Sequence, residues 1–164
     1  MKRLFIVRHG KSDWEFESVK DFDRTLKERG ISDGHMMAQM LASEGLIPEM
    51  ILSSNANRAL HTAVIFHRVL EMKPDAFRIE PDLYLAEVDE TMDILFGIDD
   101  SIQSVMIFGH NPGFTELANY LSRLNISNIP TTGIVMLDFK TEKWTGISKG
   151  VIAGERFEYP GKLR

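Results

Sequence analysis

The chain contains no cysteine. That excludes a disulfide scaffold, a thiolate zinc site and a cysteine nucleophile, and it fits a reducing compartment. Proline is sparse, 6 in 164 residues, and no Pro/Gly/Ser-rich tract or repeat divides the chain. Long hydrophobic runs are also missing. Nothing approaches the roughly 18 apolar residues of a membrane span. The apolar run Leu4 to Val7 is cut off by Arg8, His9 and Lys11, well short of the roughly 7–15 apolar residues of a secretory signal. An excess of positive charge is lacking too: 19 Lys plus Arg stand against 24 Asp plus Glu, a net charge of −5. Such a balance argues against nucleic acid or an anionic membrane as partner, while leaving room for a local basic pocket. These absences predict a soluble cytoplasmic protein, expected to be a monomer.

What is present is ordinary globular material, 43% hydrophobic and 26% charged, enough for one core in a single domain over residues 1–164. The elements alternate in type. Leu4-Phe5-Ile6-Val7 reads as a strand buried on both faces. Thr25 and Glu28 have capping-box spacing ahead of a helix through Met37, Met40 and Leu41, with Gly45 just past its end. Pro48 to Leu52 predicts a second strand ending at Ser53-Ser54, followed by a helix with Ala59, Ala63, Phe66 and Leu70 on one face. Phe77 to Glu80 gives a third strand, Val88, Met92 and Leu95 a helix ending near Gly97, and Ser104 to Phe108 a fourth strand. Phe114, Leu117, Ala118, Leu121 and Leu124 repeat at helical spacing. Ile134 to Phe139 is a last strand, with a partner expected around Trp144 to Val151. The alternation predicts a three-layer α/β/α domain on a mostly parallel sheet, with ligands beyond the carboxyl ends of the strands.

Three predicted strand ends carry unusual polar sequence: Arg8-His9-Gly10, then Ser53-Ser54-Asn55 with Arg58 one turn later, then Gly109-His110-Asn111-Pro112-Gly113. In a parallel sheet these loops converge. Two arginines can hold a phosphoryl dianion in their planar donor forks. Neutral imidazole can act as a covalent nucleophile, and a second, protonated histidine can donate to a non-bridging oxygen. Phosphoryl transfer asks for little more than such positioning and charge.

Together these residues resemble the histidine phosphatase superfamily, the phosphoglycerate mutase-like group, and more closely its SixA-like branch of phosphohistidine phosphatases. The stretches Leu4 to Trp14 and Asp21 to Gly30, Ser53-Ser54 with Arg58-Ala59 and Thr62-Ala63, and Gly109 to Gly113 carry the resemblance over most of the chain. It departs at Gly10, where the branch often has Ala, at Thr25, where it has Pro, and at Asn55, where it has Ser. The resemblance implies that His9 becomes phosphorylated, that Arg8 and Arg58 bind the phosphoryl group, and that His110 donates to it. Ser12 and Asn111 are further candidates for substrate binding. No cofactor or metal is implied. The implied substrate is phosphohistidine on a protein, with a small phosphoester as the alternative and a non-catalytic phosphate-binding module as the reading from another class.

A general acid is harder to assign. Glu87, after Leu83-Tyr84-Leu85, and Asp21 are the main candidates, with Asp23 beside the latter. A phosphoramidate releases an imidazole more readily than an ester releases an alkoxide, so a weak signal for an acid favours a P–N substrate. The interval from Ala59 to Ser104 is used up by two helices and a short strand, which leaves no lid and predicts an open pocket. Lys11 is read as pocket charge or simple solvated lysine. Trp14 and Phe16 are read as loop packing, with a substrate-gripping rim as the other possibility. His35, His61 and His67 are read as ordinary helix histidines, His61 being nearest the pocket rim.

Overall fold

The computed structural model describes residues 1–14 and 19–164; the expectation for Phe16 lies outside the described residues. A six-stranded sheet has the order β3-β2-β4-β1-β5-β6. Its strands are β1 (Lys2–Arg8), β2 (Met50–Ser53), β3 (Phe77–Ile79), β4 (Ser104–Gly109), β5 (Ile134–Phe139) and β6 (Ile152–Glu158). The helices are α1 (Glu28–Ser43), α2 (Asn57–Val69), α3 (Val88–Phe96), α4 (Gly113–Leu121) and the short α5 (Pro160–Leu163). The first four strands run parallel, and β5 is antiparallel to both β1 and β6. Between α2 and β4 lie only β3, α3 and two 3-10 turns, with no inserted lid. No helix among the described residues is long and apolar enough to cross a membrane.

The continuous apolar run of β1 has a direct cause. Leu4 and Ile6 point to one face, where they pack with Leu52, Ile107, Leu95 and Phe114; Phe5 and Val7 point to the other, with Ile51, Phe108, Met37 and Phe66. Successive strand residues alternate faces, and both faces are covered by helices, so neither parity can be polar. The same parallel register sets the strand ends in a row: Arg8 pairs with Gly109, and Ser53 with Phe108.

Three expectations are corrected. Helix α1 starts at Glu28 with Lys27 as its N-cap, so Thr25 caps nothing. The Thr25 carbonyl instead accepts from Asp13 N–H, and Leu26 bridges to Ser12, which ties this segment to the loop after β1. Leu124 lies beyond α4, which ends at Leu121. The partner of β5 begins later than expected, at Ile152, because Trp144 sits in a 3-10 turn that buries its ring completely. The Trp144 indole N–H donates to the Ile102 carbonyl at 2.8 Å, making it a plug at the lower end of the sheet. At the other end of α1 the expected C′ glycine is present: Gly45 has φ +69, a conformation that costs other residues more.

Candidate active site

A cleft of about 340 Å³ opens at the carboxyl end of the parallel strands. Arg8, His9, Arg58 and His110 all line it, from β1, from the start of α2 and from the loop after β4. His9, Arg58 and His110 are buried, and the two histidine rings lie 5.3 Å apart. The converging loops expected from the sequence are therefore brought together.

The His9 backbone N–H donates to the Gly109 carbonyl at 3.1 Å, extending the β1–β4 ladder by one bond. Its ring Nδ1 lies 2.7 Å from the Gly10 carbonyl oxygen. A carbonyl can only accept, so Nδ1 carries the proton and Nε2 keeps its lone pair. Arg58 Nε–H points at Nε2 from 3.4 Å. Burial, followed by His110 and the charges of Arg58 and Arg8, pushes the His9 pKa down to about 3, against the Gly10 bond that raises it. His9 is thus a neutral imidazole across the physiological range.

Thr62 locks this arrangement. Its hydroxyl accepts from Gly10 N–H at 2.9 Å and donates to the Arg58 carbonyl at 2.7 Å. The loop after β1 and the first turn of α2 are so held by one side chain. Gly113 does the same for the third loop by having no side chain: a Cβ there would lie 2.1 Å from the Ala86 carbonyl oxygen.

His110 sits 2.8 Å through Nε2 from the Ser54 hydroxyl, which itself accepts from Ala56 N–H. Its Nδ1 is buried and has no protein partner. Burial first, then Arg58, Arg24 and Arg8, push its pKa down to about 3, with Asp21 opposing. His110 is therefore neutral near pH 7, whereas the chemical argument from sequence used a protonated second histidine; a neutral imidazole still carries one N–H with which to donate. A phosphoryl dianion would offset the arginine charges that hold the pKa down.

The positive charge of the cleft exceeds what the sequence suggests. Arg24 also lines it, buried, with its guanidinium 3.3 Å above the ring of Trp14. Arg8 donates to the Ile129 carbonyl at 2.8 Å, yet its Nε is buried without a partner, as is that of Arg24. Desolvation and mutual repulsion, from Arg24 and Arg58 on Arg8 and from Arg58 on Arg24, lower the pKa of both arginines. Among the described residues that line the cleft, one carboxylate answers them. Asp21 pairs with Arg58 at 3.0 Å and with Arg24 at 3.2 Å, and accepts from the Tyr84 hydroxyl at 2.7 Å. Partial burial pushes its carboxyl up, but the Tyr84 bond and the two arginines outweigh this and hold it below the usual carboxylate range.

The remaining candidates separate. Ser12 and Lys11 line the cleft. Asn111 lines it as well, but its amide is committed: Nδ2 donates to Asn128 and to the Ile129 carbonyl, and Oδ1 accepts from the backbone and hydroxyl of Thr115. Glu87 is exposed and forms a capping box with Glu90 at the start of α3, and it does not line the cleft. Asp23 is exposed and His61 faces outward from α2. Among the described residues no group of three His, Asp or Glu side chains could hold a metal ion. Arg24 and Tyr84 were not legible as site residues. Arg24 stands within the stretch that carries the resemblance, but a loop has no period from which to infer where a side chain points.

A family model described as the histidine phosphatase superfamily (branch 1) matches residues 4–89. An uncharacterized chloroplastic protein of Arabidopsis thaliana is 32% identical over 155 residues, 87% of this chain and 69% of that one. A 2,3-bisphosphoglycerate-dependent phosphoglycerate mutase of Clavibacter michiganensis is 33% identical over 66 residues, 39% of this chain but only 26% of the mutase. Among solved structures, SixA of Agrobacterium tumefaciens superposes with a TM-score of 0.80 at 25% identity, covering 98% of this chain and 99% of that one. The protein histidine phosphatase SixA complexed with tungstate superposes with a TM-score of 0.81 at 21% identity, covering 99% of both chains.

Proposed function

The chain belongs to the histidine phosphatase superfamily, in its SixA-like branch, and on that premise we propose that it hydrolyses phosphohistidine on proteins through a phosphorylated His9. The observation that carries the chemistry is the state of His9: Nδ1–H bonded to the Gly10 carbonyl, Nε2 unprotonated and facing the cleft beside Arg58. In the first half-reaction the Nε2 lone pair attacks phosphorus and the bond from phosphorus to the substrate nitrogen breaks. With its other ring nitrogen protonated, the substrate imidazole leaves neutral. In the second, water attacks phosphorus, the P–Nε2 bond breaks, its electron pair returns to Nε2, and inorganic phosphate leaves. Arg8, Arg58 and Arg24 offset the charge on the phosphoryl oxygens in both halves, and His110 serves as a further donor.

The carboxylates support a P–N substrate. Asp21 is held ionised by Tyr84, Arg58 and Arg24, so it is a poor proton donor, and Glu87 lies outside the cleft. An alkoxide leaving group needs a positioned acid, commonly worth about 10²–10⁴-fold; a protonated imidazole does not. The same arginine charge makes a metal unnecessary in this reading, and vanadate should inhibit as a mimic of the pentacoordinate transition state. The test compares kcat/KM on a histidine-phosphorylated protein with that on a panel of sugar, nucleotide and glycerate phosphates. Preference for the protein supports the proposal. Preference for any ester overturns it in favour of a small-molecule phosphatase, and turnover of none indicates a phosphate-binding module.

A further inference from the structure

Above its charged floor the cleft carries two large apolar side chains that the chemistry does not use. Trp14 is 68% exposed and Leu85 is 54% exposed, and both line the cleft. Neither exposure is the incidental surface hydrophobe that needs no explanation. The ring of Trp14 is held flat by stacking on Arg24, and Arg24 is in turn fixed by Asp21, so the ring is presented to the cleft on a fixed support.

Leu85 is held in an unfavourable backbone conformation. The segment Leu83 to Ala86 has the form of a type II turn: Tyr84 has φ −66 and ψ 114, Leu85 has φ +52, and Ala86 N–H reaches the Leu83 carbonyl at 3.4 Å. The third position of such a turn favours glycine, because a side chain there crowds its own backbone. Here it holds a leucine that stays more than half exposed. The neighbours explain the turn but not the leucine: Leu83 enters the core, Tyr84 bonds Asp21, and Ala86 lies against the Gly113 backbone. Each of these would be served equally by glycine at 85. A strained, exposed apolar side chain at the mouth of a cleft points to something it touches from outside.

We infer that Trp14 and Leu85 are specificity-determining residues that hold the imidazole ring and adjoining chain of a phosphohistidine substrate while the arginines hold its phosphoryl group. This rests on the function proposed above. The chemistry of the rim supports that occupant over a sugar or a second phosphate. A flat heteroaromatic ring can stack on an indole and lie against a leucine. Sugar hydroxyls would need hydrogen-bonding groups there, and Asn111, one of the polar side chains lining the cleft, has its amide already engaged.

The experiment uses two P–N substrates: a carrier protein phosphorylated on surface histidines, and phosphoramidate, which has no ring and no chain. In Leu85→Gly the ratio of kcat/KM on the carrier to kcat/KM on phosphoramidate should fall about tenfold, mainly through KM, the size expected for one partly buried leucine. Glycine suits the turn, so this variant should fold at least as well as the parent. Trp14→Ala should lower the same ratio, and Trp14→Phe should restore most of it. An unchanged ratio in Leu85→Gly and Trp14→Ala overturns the inference while leaving the proposed function standing. A parent enzyme that turns over phosphoramidate but not the carrier defeats the proposed function, and the rim with it.

Discussion

Both ends of strand β1 hold a cation, fully buried at one end and half-buried at the other, and they treat it in opposite ways. At the amino end Lys2 is fully buried, and its ammonium donates to the carbonyls of Asp100 and Ile102 and to the Gln103 side chain, with the Trp144 ring alongside. Three donors meet three acceptors, so nothing there is left to bind. At the carboxyl end Arg8 and Arg24 are desolvated, repel one another, and each keep a buried Nε–H without a partner. Burying donors without acceptors costs roughly 1–3 kcal/mol apiece. A fold tolerates that where a ligand can supply the acceptors. The contrast separates a cation that builds the protein from cations that serve it, with no reference to sequence motifs.

The largest effect should come from the nucleophile. His9→Ala should lose all measurable turnover on every substrate, and rapid quench of the parent should trap acid-labile, base-stable phosphate on His9; full activity in the variant would defeat covalent catalysis. Arg58→Ala should follow, at about 10²–10³-fold in kcat/KM on carrier and phosphoramidate alike.

The contrast itself is tested by exchanging one cation at each end for methionine. Arg24→Met should lose about 10–100-fold in kcat/KM and weaken vanadate inhibition, while its stability to denaturant should hold or rise, because a charge without full partners has been removed. Lys2→Met should do the reverse: about 1–3 kcal/mol of stability lost as the Asp100 carbonyl loses its ammonium donor while the Ile102 carbonyl keeps its Trp144 bond, and full activity per folded molecule. Similar stability losses at both ends would break the distinction.

Acid should act at the carboxyl end through His9 and His110. Both have pKa values pushed down to about 3 in the fold, against about 6.5 in an unfolded chain. Between those limits the unfolded chain binds more protons, so stability should be complete above about pH 6.5 and fall as pH drops toward 3. Each histidine contributes at most about 1.4 kcal/mol per pH unit. Denaturant titrations at several pH values check this, and His110→Asn should flatten the slope by about half. The smallest effects belong to groups outside the cleft: Glu87→Gln and Asp23→Asn, and chelator on the parent, should each change phosphohistidine turnover by less than about twofold. A loss restored by a divalent ion would overturn the metal-free reading.

Much of this was legible in the sequence, for physical reasons. A strand covered on both faces must be apolar at every position, so Leu4 to Val7 announced itself, and parallel strands deliver their trailing residues to one edge, so Arg8, Arg58 and His110 could be brought together on paper. Strand β6 was misplaced because its pattern, Ile-Ala-Gly-Glu-Arg-Phe-Glu, is polar at an edge where only partial burial is required. Thr25 was misread as a cap because its spacing to Glu28 fits a box that the loop pairing with Asp13 pre-empts. The roles of Asp21 and Tyr84 depend on one another and on Arg58, residues far apart in the chain, and no local spacing encodes such a network.

The bond between His9 Nδ1 and the carbonyl of its own neighbour has a consequence for the chemical identity of the intermediate. A phosphorylated histidine exists as two regioisomers, distinguished by which ring nitrogen bears phosphorus. Here the backbone has already occupied one of them, so a phosphorylated His9 is a single compound, the Nε2 isomer, and digestion followed by phosphorus NMR of the trapped peptide should give one P–N resonance rather than a pair.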